Sequence, residues 1–375
     1  MRVSERMKSY NLLSDINRNM SSMLKTQQDL ATGRRIHKPS DDPSGTTRVM
    51  QLEGQLRRTE RYEKNIDDAY QLILTTENTI NRVIDLIGDA DNMLIQAGND
   101  TLGDDERLIL SHQMEEFWRQ SVSLGNQEFA GKYLFGGTNN LTPPYTSVSA
   151  IEDESVTSSH DTAVNLGQVG LTSGSVTLTS TDGATTYTEG AAGVGDFSID
   201  YEKGTLTVHS TGAMADATDY LIDYNTENAV RVELNPEGVG GEINRIFDEG
   251  EQMSINVSAT EIYGDNNELQ NTLRDAYNAL VRNDTDALAG LRDELSGHLD
   301  RASGILGEVG TKINRLDNQQ IKLDADQLNY KRLISSIEDT DMAEALVQLE
   351  RDQAIYEASL QTSARLIKNT LLDYL

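Results

Sequence analysis

Apolar positions follow two different periods along the chain. From Leu52 onward, Leu56, Thr59, Glu63, Ile66, Tyr70, Ile73, Glu77, Ile80, Ile84 and Ile87 succeed one another in alternating steps of four and three, the spacing of a coiled-coil seam. This predicts one helix from about residue 43 to about 98, roughly 84 Å long at ~1.5 Å per residue. Its start is marked by Ser40-Asp41-Asp42-Pro43, where a side-chain oxygen can cap free N–H groups and proline takes the first helical position. A further stripe, Met114, Phe117, Trp118, Val122 and Leu124, follows the acidic start Asp104-Asp105-Glu106. Near the other end, Leu299, Ala302, Leu306, Val309, Ile313, Leu316, Gln320, Leu323, Gln327, Tyr330, Ile334 and Ile337 keep the same step. Gln320 and Gln327 place polar groups in that seam, a device that trades stability for register. Glu338-Asp339-Thr340-Asp341 interrupts the pattern, and a last stripe runs through Leu346, Leu349, Gln353, Tyr356, Leu360, Ser363, Ile367 and Leu371, opened by a capping box from Asp341 to Glu344. The N-terminus carries a matching stripe: Val3, Met7, Tyr10, Leu13, Ile16, Met20, Met23, Gln27 and Leu30.

Between these halves the period changes to two. Val176 and Leu178, then Phe197, Ile199 and Tyr201, then Leu206 and Val208, then Val230, Val232 and Leu234 alternate as strands do, and Glu202-Lys203-Gly204 reads as a hairpin turn. The segment 142–241 holds 12 of the 29 glycines and 15 acidic residues against only Lys203 and Arg231. All five prolines lie outside the long seams, at Pro39, Pro43, Pro143, Pro144 and Pro236, which leaves those seams free to be helical. A helix with an exposed apolar seam is marginal in water, so the flanking helices are expected to pair with each other. The fold class expected is therefore mainly α with a β-rich insertion. An elongated helical rod is built from the two ends of the chain, and the middle region, entered near Pro144 and left near Pro236, stands at the far end. The expected division is 1–41, 42–141, 142–241, 242–339 and 340–375. Ile66, Ile73, Ile80, Ile87, Val309, Ile313, Leu316 and Leu323 are the expected rod core. Val3, Met7, Tyr10, Ile16, Met20, Leu346, Leu349, Tyr356, Leu360, Ile367 and Leu371 are the residues expected to meet partner helices.

Composition narrows the function. The 375 residues include no cysteine, and 32 Lys and Arg face 61 Asp and Glu, for a formal charge of −29. Disulfides and thiol chemistry are excluded, and so strong an anion is a poor partner for nucleic acid or an anionic membrane. No run reaches the roughly 20 apolar residues of a membrane-spanning helix, and MRVSERMKSYNLLSDINRNM lacks the apolar core of a cleavable signal, so export is expected by another route and no membrane anchor is expected. His37, His112, His160, His209 and His298 stand apart, with no ligand spacing. Gly193-Val194-Gly195 reads as turn glycines, and Glu152-Asp153-Glu154 as a solvated acidic face. No catalytic group, metal or cofactor is expected.

Two separated motifs then carry a resemblance. Leu30-Ala31-Thr32-Gly33-Arg34-Arg35-Ile36-His37-Lys38-Pro39-Ser40-Asp41-Asp42-Pro43 resembles the N-terminal motif of bacterial flagellin-like axial proteins. Ala354-Ile355-Tyr356-Glu357-Ala358-Ser359-Leu360-Gln361-Thr362-Ser363-Ala364-Arg365 resembles their C-terminal helix. The Pro39–Pro43 stretch, Gly131-Lys132-Tyr133-Leu134-Phe135-Gly136-Gly137 and the closing Asp373-Tyr374-Leu375 are similar to the hook-associated branch of that family. The resemblance covers about residues 1–141 and 242–375. It implies a non-enzymatic subunit of the bacterial flagellum, secreted by the flagellar type III apparatus with an export chaperone. It further implies assembly at the hook–filament junction with copies of itself, between hook-associated protein 1 and flagellin. Flagellin itself is built on the same plan and is the alternative. An enzyme carried in the middle region would need a nucleophile or metal arrangement, and a coiled-coil adhesin would be dispensable for motility. The strong acidity departs from the resemblance and suggests a subunit adapted to salt.

Overall fold

The structure, a computed structural model, describes residues 5–99, 102–228 and 231–372. In chain order, helices α1 (Glu5–Thr32), α2 (Pro43–Ala97) and α3 (Asp104–Gly125) come first, followed by the short hairpin β1 (Glu128–Phe129) and β2 (Lys132–Tyr133). The middle region contains β3 (Tyr145–Val148), β4 (Ala150–Thr157), β5 (Ala163–Asn165), β6 (Thr177–Ser180), β7 (Thr186–Tyr187), β8 (Phe197–Asp200), β9 (Thr205–Val208), β10 (Asp219–Asn225) and β11 (Arg231–Leu234). A hairpin of β12 (Asn244–Asp248) and β13 (Glu251–Ser254) precedes α4 (Ala259–Tyr263), α5 (Glu268–Arg282), α6 (Thr285–Glu338) and α7 (Met342–Leu372). The fold is mainly α with a β-rich middle. It differs from the sequence expectation at 242–258, read as the start of the helical C-terminal half and found as strand. That stretch carries no four-three seam, and Gly250, at φ 81°, closes its turn.

The chain forms two compact units, one of residues 1–64 with 319–375 and the other of residues 65–318. Helix α2 starts where its sequence predicts: the Asp42 carboxylate accepts the Gly45 N–H at 2.8 Å, and Pro43 loses no donor at the first position. Along α2, Ile66, Ile73, Ile80 and Ile87 are buried as expected. The alternate positions differ by one residue, because Ala69, Thr76, Val83 and Ala90 are buried where Tyr70, Glu77 and Ile84 are only half-buried. Alanine and threonine at three of those steps do not register in a pattern drawn from large apolar residues. Along α6, Ala302, Val309, Leu316 and Leu323 are buried, whereas Ile313 is half-buried. Within the second unit, Arg292 donates from Nε to Asp91 Oδ1 at 2.9 Å, tying α6 to α2.

The strands of the middle region form an antiparallel sheet of order β4-β10-β6-β7 and a second of order β5-β9-β8. Leu178, Phe197, Leu206, Val208, Ile222 and Tyr224 pack in their shared core. β3 pairs antiparallel with β11, Tyr145 lying opposite Leu234, and the Asn235 N–H donates to the Pro144 carbonyl at 2.9 Å. The chain therefore enters and leaves this region on adjacent strands. The region is fastened to α5 by backbone recognition. Arg282 donates from Nη2 to the Leu166 carbonyl at 2.5 Å and from Nε to that of Lys203 at 3.0 Å, and Asn278 donates to that of Gly167 at 2.8 Å. Burial pulls the Arg282 pKa down from its ordinary value. Gly204 sits at φ +59° where a Cβ would collide with the Gln168 carbonyl, so the turn predicted at Glu202-Lys203-Gly204 admits only glycine.

His298 on α6 is buried beside Thr272 of α5, whose hydroxyl lies 3.2 Å from its Nε2. Burial first, then the Arg301 charge, lowers its pKa, against weaker opposite pulls from Glu268 and Glu294. A depressed histidine binds its proton more readily unfolded, so its contribution is present above about pH 6.5 and is lost as pH falls below that value. Melting followed between pH 8 and pH 5 should show stability falling on the acid side, with a shallower fall in His298→Gln. For the seams, Ile80→Ala should cost about 2–5 kcal/mol and Ile313→Ala distinctly less, since only the first is fully buried. Equal losses in thermal melting would show that the burial of the two positions is misread.

Candidate assembly interface

The terminal unit is organised around the turn that joins α1 to α2. At the end of α1, Gly33 adopts φ +73° and its N–H donates to the Asp29 carbonyl at 2.8 Å, the left-handed stop that glycine makes without strain. The chain then runs antiparallel to the turn between α6 and α7. The Arg35 N–H donates to the Glu338 carbonyl and the Thr340 N–H to the Gly33 carbonyl, each at 2.8 Å. Two guanidinium groups reinforce the splice: Arg34 Nη1 lies 2.8 Å from Glu338 Oε1, and Arg35 Nε donates to the Ile337 carbonyl at 2.9 Å. His37 pairs with Asp29 at 2.8 Å. Asp41 accepts the N–H groups of His37 and Lys38, which hold its carboxyl below the usual range. On the opposite turn, Asp341 accepts the N–H groups of Ala343 and Glu344 and caps α7. Almost every polar residue of the Gly33–Pro43 motif thus has a backbone or ionic partner.

From this splice α1 and α7 run beside each other, and their shared seam mixes apolar side chains with buried polar ones. The less exposed positions are Leu12, Ile16, Asn19, Met23, Thr26 and Leu30 on α1, and Ala345, Leu349, Asp352, Tyr356, Ser359 and Ser363 on α7, both in four-three steps. Asp352 is 6% exposed and accepts from Thr26 Oγ1 at 3.0 Å, Ser22 Oγ at 3.2 Å and Gln348 Nε2 at 2.9 Å. A second polar cluster joins α2 to α6, where Gln327 Nε2 donates to Glu63 Oε2 at 2.5 Å and Gln320 Nε2 lies 3.5 Å from Glu63 Oε1. Gln320 and Gln327, the polar positions of the C-terminal seam, thus both turn to Glu63 of the N-terminal one.

Large apolar side chains lie on the outside. Met7 is 58% exposed, Tyr10 76%, Leu346 55% and Leu360 42%, and Met20 is exposed with them. Of the residues expected to meet partner helices, those five are exposed, while Ile16, Leu349 and Tyr356 are half-buried between α1 and α7. Val3 and the side chains of Ile367 and Leu371 lie outside the described residues. Leu24, Met342, Val347 and Ile355 extend the outer apolar surface. A stripe drawn from single four-three steps passes over them, and projection on a 3.6-residue helix finds Leu24 on the face of Tyr10 and Met20. Among the described residues no helix is long and apolar enough to cross a membrane, and no three His, Cys, Asp or Glu side chains are grouped to hold a metal.

The bacterial flagellin N-terminal helical region matches residues 3–140, and the bacterial flagellin C-terminal helical region matches residues 294–375. The chain belongs to the flagellin-like family. Both ends of the splice, and both α1 and α7, fall within the matched regions, whereas the β-rich middle lies outside them. Flagellar hook-associated protein 3 of Salmonella typhimurium strain LT2 is 27% identical over 146 residues, covering 39% of this chain and 46% of that protein. A flagellin of Bacillus subtilis is 29% identical over 141 residues, covering 37% and 46%. The match thus spans about half the length of these flagellin-like relatives. A solved structure from Vibrio parahaemolyticus, described there as a flagellar hook-associated protein, covers 80% of this chain and 100% of its own, with a TM-score of 0.50 and 16% identity, which shows a shared fold.

Asp352→Ala would remove the acceptor shared by Thr26, Ser22 and Gln348 in the α1–α7 seam; only Thr26 is buried and it keeps the Ser22 carbonyl at 3.1 Å, so the loss should be about 1–3 kcal/mol in all. Hydrogen exchange should then report faster amide exchange in α1 and α7, with protection around Ile80 unchanged. Unaltered exchange in α1 would show that the seam does not depend on this carboxylate.

Proposed function

We propose that the chain is a structural subunit of the bacterial flagellum that joins hook to filament. It sits at the junction between hook-associated protein 1 and flagellin and meets copies of itself around the axis. The observation that carries this reading is the apolar outer face of the terminal pair. Leu12, Ile16, Met23, Leu349 and Tyr356 share the inner seam with Asp352, Thr26 and Ser363, while Met7, Tyr10, Leu346 and Leu360 face outward as well. Large apolar side chains on the outside of a helix pair add nothing to its own fold, and a wide apolar face marks a protein interaction site. The name of the Salmonella relative supports a place among the hook-associated proteins. Secretion by the flagellar export apparatus, guarded by a chaperone that covers the terminal segments, belongs to the same proposal, and no catalysis is assigned.

A second reading, flagellin itself, is favoured by the Bacillus relative, and location separates the two. Antibody labelling of detached flagella should mark only the base of the filament, whereas labelling along its length would identify a filament subunit. A strain lacking the gene should keep its hooks, shed flagellin into the medium and fail to swim. The residues that carry assembly can be tested separately. Leu346→Asp with Leu360→Asp should abolish recovery of the subunit in flagella while changing monomer melting by no more than about 0.5 kcal/mol, because both side chains are exposed in the single chain. A carboxylate enclosed between subunits costs several kcal/mol. Normal incorporation of that variant would remove the outer face of α7 from the interface.

A further inference from the structure

The formal charge is partitioned between the two units. Residues 1–64 and 319–375 carry 19 Lys and Arg against 18 Asp and Glu, a net +1, whereas residues 65–318 carry 13 against 43, a net −30. The terminal unit that bears the outer apolar residues is therefore neutral, and the whole excess of negative charge belongs to the other. Few of its carboxylates are compensated. Arg107 spends its guanidinium on the carbonyls of Ala97 and Asn99 and on the Asn283 amide, and Arg282 spends its own on carbonyls of the middle region. Exposed acids such as Asp67, Asp68, Asp85, Asp89, Asp293 and Asp300 leave the surface with little opposing charge.

We propose that residues 65–318 make assembly of this chain conditional on ionic strength, with inorganic cations as the screening partner. The inference rests on the reading above that copies of the chain assemble. Apolar contact between neutral terminal units attracts at any salt concentration, but each copy that joins also brings a net −30 against its neighbours. The range of that repulsion is about 30 Å at ~0.01 M salt and about 3 Å at ~1 M, so it crosses between adjacent copies only when salt is low. Attraction and repulsion thus reside in different units of one chain, and the salt concentration sets which prevails.

The test follows self-association of the full-length chain by sedimentation velocity in NaCl from about 0.05 M to about 1 M, for three proteins. The parent chain should associate about tenfold or more tightly at the high end. A variant with Asn at Asp67, Asp68, Asp85, Asp89, Asp293 and Asp300 should associate more tightly than the parent at low salt and gain distinctly less as salt rises. A variant with Glu at the same six positions keeps the charge and should follow the parent, which separates charge from altered side-chain shape. Salting-out of apolar surface would strengthen all three alike, so parallel salt responses of parent and Asn variant overturn the proposal, as does association that weakens with salt. Absence of association at every salt concentration would overturn the assembly reading itself and this inference with it.

Discussion

Two backbone hydrogen bonds, from Arg35 to Glu338 and from Thr340 to Gly33, join turns that lie about three hundred residues apart in the chain. The terminal unit depends on them. They set α1 beside α7 and bring the start of α2 to the end of α6, so that a seam written in two distant halves closes in one register. The length between the joined turns matters little to this closure, because its entropic cost grows by only about 0.6 kcal/mol for each doubling of the loop. The chain can therefore carry a large β-rich region between the flagellin-like ends. That region leaves and returns on the paired strands β3 and β11, so its size is not felt at the splice. This is the physical reason the recognisable sequence lies at the two ends while the middle lies outside both family matches.

What the sequence disclosed follows from how each element is stabilised. Ile66, Ile73, Ile80 and Ile87 were legible because a large apolar residue every seventh position has few explanations other than a seam. Ala69, Thr76 and Val83 were not, since the bulkier Tyr70 and Ile84 beside them attract the pattern. The Asp42-Pro43 start of α2 could be read because a cap is local. The hairpin at Asn244–Ser254 escaped notice: its strands carry Arg245 and Gln252 on exposed positions and too few apolar residues to set a period. At the candidate interface, the outward Met7, Tyr10 and Leu346 belong to a readable stripe, but no periodicity tells whether a stripe faces its own partner helix or another molecule. Asp352, which accepts from Ser22 and Thr26 across the whole chain, marks the side of α7 that faces α1 and so the side that does not.

Polar groups in both terminal seams give the unit its character. Glu63 with Gln320 and Gln327, and Asp352 with Ser22, Thr26 and Gln348, each replace a position that leucine could fill with greater stability. Their value lies in register, because a slip of one heptad would separate each carboxylate from its donors and leave it buried without a partner. Stability is also conceded when apolar residues are placed outside. In the proposed assembly, a pair fixed in alignment by its polar groups still has Met7, Tyr10, Leu346 and Leu360 free on its outer face for neighbouring subunits.

The arginines complete the argument. Arg34 and Arg35 secure the splice, Arg107 binds the carbonyls at the end of α2, and Arg282 holds the middle region to α5 through its backbone. A guanidinium suits these places because its fork of donors can satisfy several carbonyls at once while staying charged. In residues 65–318, where 13 cations face 43 acids, the commitment of Arg107 and Arg282 to carbonyls takes two of those cations away from the carboxylates. The excess of carboxylates makes the exterior of residues 65–318 negative, while the terminal unit, with 19 cations against 18 acids, is close to neutral.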